Sequence, residues 1–349
     1  MKTVSIEKPF EITIQDVPMP EPKENEALLQ VLYCGICGAD VASYTGNQPF
    51  TTYPRIPGHE FSARIVTVPD NDRGLCAGDL VTCNPYFNCG TCYACQKGLV
   101  NACRDNQTMG VQRDGAFSEY IAMPVDRIIP GRGLSARQLA LIEPFAISQH
   151  ALSRCPVHPG DRVLVIGAGP IGLFALLAAK AKGAAVTVCD LLQGRLEKAK
   201  AFGAEAAVCA LDPDAEEQLA RQTDRNGFDV CVEACGRSET FLKCIEQACQ
   251  GANIILIGNG KTETTFLHSI LLKKELNVFG SRNAYTQDFE SLIALAGKGA
   301  LPLDQIISAE YAFLDAASAF DALTHNDGSL EKVLLRFAST DGQEEAYCD

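Results

Sequence analysis

The sequence predicts an α/β chain in two parts, a β-rich part and a doubly wound parallel sheet. Three observations lead there. Residues 1–145 hold short alternating apolar runs broken by Pro and Gly turns, whereas from residue 161 strand-like runs alternate with helical ones. A glycine-rich turn stands at the first strand-to-helix junction of that second pattern. The length, 349 residues, exceeds what one hydrophobic core usually serves.

In chain order, "EALLQVLYC" (26–34) and "FSARIVTV" (61–68) read as strands of the first part. "DRVLVIGAG" (161–169) is a short apolar strand, and "PIGLFALLAAKAKG" (170–183) is a helix closed by Gly183. Then come the strand "AAVTVCD" (184–190), the helix "QGRLEKAKAFG" (193–203), and the strands "GFDVCVEACG" (227–236) and "ANIILIG" (252–258). The alternation stops near "ELNVFGSRN" (275–283), and the remainder reads helix, strand, helix, strand before a polar tail, "STDGQEEAYCD" (339–349), expected to be poorly ordered.

Composition narrows the function classes. The chain is 47% hydrophobic and 21% charged, as in soluble globular proteins, with a net charge of −13. An acidic chain repels phosphate backbones and anionic lipid, which disfavours nucleic acid and membrane surfaces as partners. The longest apolar run, 163–179, contains glycines and a proline that suit a strand, turn and helix better than a membrane span. "MKTVSIEKPFEITIQD" has no apolar signal-peptide core, so a cytoplasmic location is expected. Sixteen cysteines without a secretory signal favour metal binding over a disulfide framework. Some of them, such as Cys189 and Cys231, sit in apolar runs and read as buried small hydrophobes.

The most specific metal signal is "CGTCYACQKGLVNAC", with Cys89, Cys92, Cys95 and Cys103. Four thiolates in a turn-rich loop can enclose one tetrahedral Zn²⁺ at about 2.3 Å per bond, with no open position, which makes such a zinc structural. An iron–sulfur cluster also takes four thiolates and remains the alternative. The second signal is "VLVIGAGPIGL". Gly167, Gly169, Pro170, Ile171 and Gly172 follow a strand and open a helix, and Asp190 ends the next strand 18 residues after Gly172. That context is what a dinucleotide fingerprint requires. The glycines let the backbone approach a pyrophosphate at the helix N-terminus, and the Asp190 carboxylate would accept the ribose hydroxyls of NAD and repel the 2′-phosphate of NADP. Arg195, a few residues further on, could in principle meet a 2′-phosphate; it reads instead as a solvated residue of its helix.

A third set is more dispersed. Cys37 in "CGICGADVASY", His59 and Glu60 in "IPGHEF", and Glu143 in "LIEPFAIS" could supply three metal ligands and leave a fourth position open. A carboxylate in an apolar stretch, as at Glu143, is costly unless paired or metal-bound.

The order Cys37, His59-Glu60, the four-cysteine loop, Glu143 and "GAGPIG" resembles zinc-containing medium-chain dehydrogenases over nearly the whole chain. "GNQPFTTYPRIPGHE", "LIEPFAIS" and "GSRNA" narrow the resemblance to the polyol and sugar-acid branch: sorbitol dehydrogenase and, closer, L-galactonate- and L-idonate-type 5-dehydrogenases. The resemblance implies a GroES-like catalytic domain, residues 1–146 and 285–349, around a Rossmann domain, 147–284. It implies a catalytic zinc on Cys37, His59 and Glu60 or Glu143, and a structural zinc in the loop. Asp40 is expected to orient one of the catalytic ligands, while Cys34 reads as a buried strand residue. The implied reaction is NAD-linked oxidation of a secondary alcohol in a polyol or in an aldonate such as L-galactonate, L-gulonate or L-idonate, by a homodimer or homotetramer. The alternatives are a threonine or sugar-phosphate dehydrogenase, or a non-catalytic NAD-binding relative. For a sugar-acid substrate, Arg282 is the expected carboxylate clamp and Asn283 a hydroxyl partner. The chain departs from its relatives at Ala39, Ala42 and Ala63. The first two replace the hydroxyl and imidazole that pass the alcohol proton outward, which leaves Glu60 or solvent to take it.

Overall fold

A computed structural model describes residues 1–299 and 301–337 of the 349; the polar tail lies outside the described residues. The chain forms two compact units, Met1–Glu143 with Tyr285–Asp349, and Pro144–Ala284.

The first unit is built on a seven-stranded sheet. Its main path runs Ile307–Ala312, Lys332–Arg336, Glu26–Ile36, Glu60–Thr67, Leu80–Cys83 and Ile128–Pro130, with Tyr120–Pro124 also paired to Glu26–Ile36. The long strand Glu26–Ile36 is the organiser. Along it, alternate residues such as Leu29 and Val31 enter a core with Phe61, Ile65, Phe117, Phe320 and Val333. Its register opposes Gly35 to Glu60 on one side and to Leu334 on the other. Three segments far apart in sequence therefore converge at one end of this sheet.

The second unit holds a six-stranded parallel sheet in the order Ala206–Cys209, Ala185–Asp190, Arg162–Ile166, Phe228–Glu233, Ala248–Leu256, Asn277–Gly280. The order reverses between Arg162–Ile166 and Phe228–Glu233, the switch point where doubly wound sheets open a ligand crevice. Cys189 and Cys231 are buried in its core with Leu164, Phe228 and Ile254, as small hydrophobes. Helix Pro170–Ala181 is buried along Gly172–Ala179, which explains why its sequence is apolar nearly all round. The strand expected at 252–258 begins earlier, at Ala248, because the register against Phe228–Glu233 shifts there. Among the described residues no helix is long and apolar enough to cross a membrane.

Candidate active site

Cys37 is the residue before helix Gly38–Tyr44, at the end of strand Glu26–Ile36. Asp40, at the third helical position, accepts a hydrogen bond from the Cys37 N–H at 2.9 Å through Oδ2. Its Oδ1 accepts from the Gly58 N–H at 3.2 Å. One fully buried carboxylate thus ties together the two segments that carry Cys37 and His59. Asp40 was expected to orient a ligand; in the structure it braces the backbone on both sides, and the His59 ring stays 3.9 Å away, beyond hydrogen-bond reach.

Cys37, His59 and Glu60 offer ligand atoms that all lie within 4.8 Å of one another. His59 is buried, and its Nδ1 has no hydrogen-bond partner. A buried imidazole nitrogen without a partner is costly in a folded protein, and a thiol, an imidazole and a carboxylate are the donors zinc takes at an open site. On this evidence the residues fit a zinc ion. Burial alone would lower the His59 pKa, but the negative charges of Asp40, Cys37 and Glu143 raise it well above the usual histidine range. A dication would act in the same place by requiring the neutral ring.

Two neighbours complete the cluster, and sequence reasoning did not reach either. Lys332, the first residue of strand Lys332–Arg336, donates to both Glu60 oxygens at 2.7 and 2.6 Å, and both side chains are almost fully buried. Burial opposes the charge on Lys332, yet Glu60 and Cys37 raise its pKa above the usual lysine value. In "EKVLLRF" this lysine reads as a solvated strand end, and only the sheet pairing brings it to Glu60. Tyr86 donates through its hydroxyl to Glu143. Burial pushes the Glu143 pKa up to about 7, and pushes Tyr86 well above the usual phenol range, so the phenol keeps its proton. Glu143 is not in the group of close ligand atoms; its hydrogen-bond partner is Tyr86. Gly35 is required by the same crowding, since a Cβ there would overlap the Glu60 carboxylate.

In the four-cysteine loop, Sγ atoms stand 3.5 Å apart for Cys92–Cys95, 3.8 Å for Cys92–Cys103 and 3.5 Å for Cys103–Cys89. A tetrahedron with arms of about 2.3 Å has edges of roughly 3.8 Å, so one ion fits; a cluster of several irons and sulfides needs more room. The N–H groups of Cys89 and Cys92 point at Cys103 Sγ (3.2 Å) and Cys89 Sγ (3.3 Å). Such donors stabilise thiolates, and the Cys92 thiol is lowered to about 6 by backbone hydrogen bonds.

In the second unit, Gly167 adopts φ +100° and Gly172 packs where a Cβ would overlap the Gly167 carbonyl. Gly169 caps helix Pro170–Ala181, with Pro170 and Ile171 in its first turn. Asp190 accepts from Ala168 N–H at 2.6 Å and from Leu192 N–H at 2.9 Å. It therefore already shapes the turn on which a nucleotide would lie, and its oxygens retain lone pairs for ribose hydroxyls. Arg195 is half-buried rather than solvated, and its Nε finds no partner. Arg282 is exposed just after strand Asn277–Gly280, and Asn283 takes a left-handed φ of 52°.

Comparison with known proteins places these motifs in context. Residues 23–133 match the alcohol dehydrogenase GroES-like domain and residues 170–298 the zinc-binding dehydrogenase family. An L-galactonate-5-dehydrogenase of Escherichia coli (strain K12) is 36% identical over 97% of this chain and 99% of its own length. A sorbitol dehydrogenase of Halalkalibacterium halodurans is 31% identical over 92% of this chain and 94% of its own. The crystal structure of an E. coli CFT073 alcohol dehydrogenase (rspB) complexed with NADH superimposes with a TM-score of 0.90 at 30% identity, covering 97% and 99% of the two chains. The chain belongs to the zinc-binding alcohol dehydrogenase family, whose two-part fold joins a GroES-like domain to a Rossmann-type sheet.

Proposed function

We propose that this dehydrogenase oxidises a secondary alcohol of a sugar acid, with polyols as the second substrate class, using NAD. The observation that carries the reading is the gathering of Cys37, His59 and Glu60 around an unpartnered buried imidazole nitrogen. The sugar-acid preference is supported by the 36% identical L-galactonate-5-dehydrogenase, and the polyol class by the sorbitol dehydrogenase.

When bound, zinc supplies a Lewis acid at the alcohol oxygen and NAD the hydride acceptor. The chain supplies the rest. Asp40 holds the Cys37 and His59 segments in register. Lys332 balances the charge of Glu60 in a buried setting. Ala39 and Ala42 cannot carry a proton, so Glu60 takes the alcohol proton at a carboxylate oxygen, loosening its contact with Lys332 as it does so. Tyr86 keeps Glu143 engaged through its hydroxyl. Asp190 holds the adenosine ribose and selects NAD. Arg282 meets the substrate carboxylate with its planar fork, and Asn283 a hydroxyl. Arg55 is paired with Asp114 at 2.8 Å, and Arg113 stacks 3.6 Å over Phe87.

A homodimer or homotetramer is part of the reading. Strand Asn277–Gly280 is the edge of its sheet, and Val278 on it is exposed; such an edge invites pairing with another chain.

Initial rates of NADH formation over a panel of aldonates and polyols test the substrate class, in the wild type and in Arg282→Lys. Aldonates should lead, and the substitution should cost them about tenfold or more while sparing neutral polyols, because lysine cannot form the two-pronged contact. Equal losses on both classes would sink the clamp.

A further inference from the structure

The four-cysteine loop stands on a short stem. Tyr86–Phe87 pairs antiparallel with Gln107–Thr108, and the four thiols lie in the loop between them. A two-stranded ribbon is marginal by itself, and this one has only the pairs Tyr86 with Thr108 and Phe87 with Gln107. The same stem carries Tyr86, whose hydroxyl donates to Glu143 in the candidate active site. What steadies the stem therefore decides where that hydroxyl sits.

Arg127 holds this segment at every second residue from Asn84 to Asn88. Its carbonyl accepts from the Asn84 N–H at 2.9 Å. Its Nη1 donates to the Tyr86 carbonyl at 2.5 Å, and its Nη2 to Asn88 Oδ1 at 3.0 Å. The guanidinium also lies 4.3 Å from the centre of the Phe87 ring, which Arg113 approaches to 3.6 Å. Asn84 Oδ1 accepts from the Tyr86 N–H at 3.0 Å. At the far end, Asn88 Nδ2 donates to the sulfur of Cys95, one of the four metal-loop cysteines, at 3.7 Å. A continuous chain of contacts thus runs from a loop sulfur through Asn88, Arg127 and Tyr86 to Glu143. A guanidinium presents its donors in a rigid planar fork, so its bonds to Tyr86 and Asn88 cannot shift independently.

We propose that Arg127 is a positioning residue that couples the four-cysteine loop to the candidate active site. Filling the loop fixes Cys95 and with it Asn88, and the fork of Arg127 passes that constraint to Tyr86 and so to the hydrogen bond on Glu143. With the loop empty, the sulfur end of the chain is loose, the stem stands on its two residue pairs, and the buried Glu143 carboxyl loses a fixed partner. The loop then serves the reaction site as well as its own shape. The proposal rests on the reading of Cys37, His59 and Glu60 as the catalytic metal site, and adds the residue that links it to the second one.

Fluorine NMR of the intact, zinc-loaded enzyme labelled with fluorotyrosine tests this. The chain has nine tyrosines, and Tyr86 is assigned by the resonance missing from Tyr86→Phe. Arg127→Met, which keeps all four loop cysteines, should displace the Tyr86 resonance while both zinc ions stay bound. Cys103→Ser, which empties the loop, should displace it in the same direction. The double variant should match either single one, because both cut the same chain of contacts. Arg127→Lys, which can keep one of the two side-chain bonds, should fall between wild type and Arg127→Met. In steady state, Arg127→Met and Cys103→Ser should each lower kcat/KM for an aldonate about fivefold, the weight of one lost hydrogen bond, with NAD affinity within about twofold of wild type. Asn88→Ala decides the matter if Cys103→Ser does not fold: it should move the Tyr86 resonance with the four cysteines intact. A wild-type Tyr86 resonance in Arg127→Met or Asn88→Ala, displacements that add in the double variant, or a parallel fall in NAD affinity, as from a general loss of structure, would overturn the proposal. A wild type that forms no NADH with any alcohol would overturn the proposed function instead, and the resonances would still decide the coupling.

Discussion

Lys332 and Glu60 show what single residues decide in this molecule. The pair is buried, bidentate, and spans 272 positions of sequence. Removing one partner leaves the other charge unpaired in the interior, which typically costs about 3–5 kcal/mol. Lys332→Met should therefore destabilise the protein by that order in denaturant titrations, and Glu60→Gln by a comparable amount. The double variant should be more stable than the sum of the two losses predicts, because no orphaned charge remains. Additive losses, or single losses below about 1 kcal/mol, would show that the pair is not coupled. The sequence exposed Cys37, His59 and Glu60 because two of them are adjacent and the third sits in a cysteine-rich turn. It hid Lys332 and Tyr86 because a lysine at a strand start and a tyrosine before a loop have no local mark of burial. The sequence led to the expectation that Asp40 orients a ligand; its hydrogen bonds to the Cys37 and Gly58 N–H groups emerged only with the fold.

Local elements were read best where a motif and a period coincided. The glycine turn between Arg162–Ile166 and Pro170–Ala181 is such a case; the four-residue strand Ala206–Cys209 is the opposite, too short for any period to register. The early start of Ala248–Leu256 was hidden because Gln250 and Gly251 look like a turn and sit where the ladder is irregular. Two predictions belong at this scale. Asp190→Ala removes the carboxylate that would repel a 2′-phosphate and that also holds Ala168 and Leu192. Measured affinities should show NAD weakened by about tenfold or more and the preference over NADP reduced; a wild type that uses both cofactors equally would remove the assignment. In the cysteine loop, burial pushes the Cys103 thiol up to about 11, so at neutral pH metal entry must displace its proton. Zinc affinity of the metal-free loop should fall as pH falls, and Cys103→Ser should lose that ion while the other metal site stays loaded. Metal analysis at several pH values checks both statements, and pH-independent retention would contradict them.

At the scale of the whole chain, the apolar pattern separated a β-rich part from an alternating part, but it could not say which sheet the last strands join. Ile307–Ala312 and Lys332–Arg336 pair beside Glu26–Ile36, more than 270 residues away in sequence, and bring Lys332 with them. Long-range pairing of this kind leaves no local signal. The consequence for function is that one candidate metal group offers four thiolates, which would close a tetrahedral ion, and the other offers three mixed ligands, which would leave a fourth position open. The most direct test is to measure zinc content and the initial rate of NADH formation with an aldonate before and after mild chelation, and after zinc is returned. Two ions per chain should fall to one with the fold intact, activity should vanish with the first ion, and added zinc should restore it. Full activity in protein that retains only the four-cysteine ion would contradict the assignment of Cys37, His59 and Glu60, as would loss of both ions together with the fold.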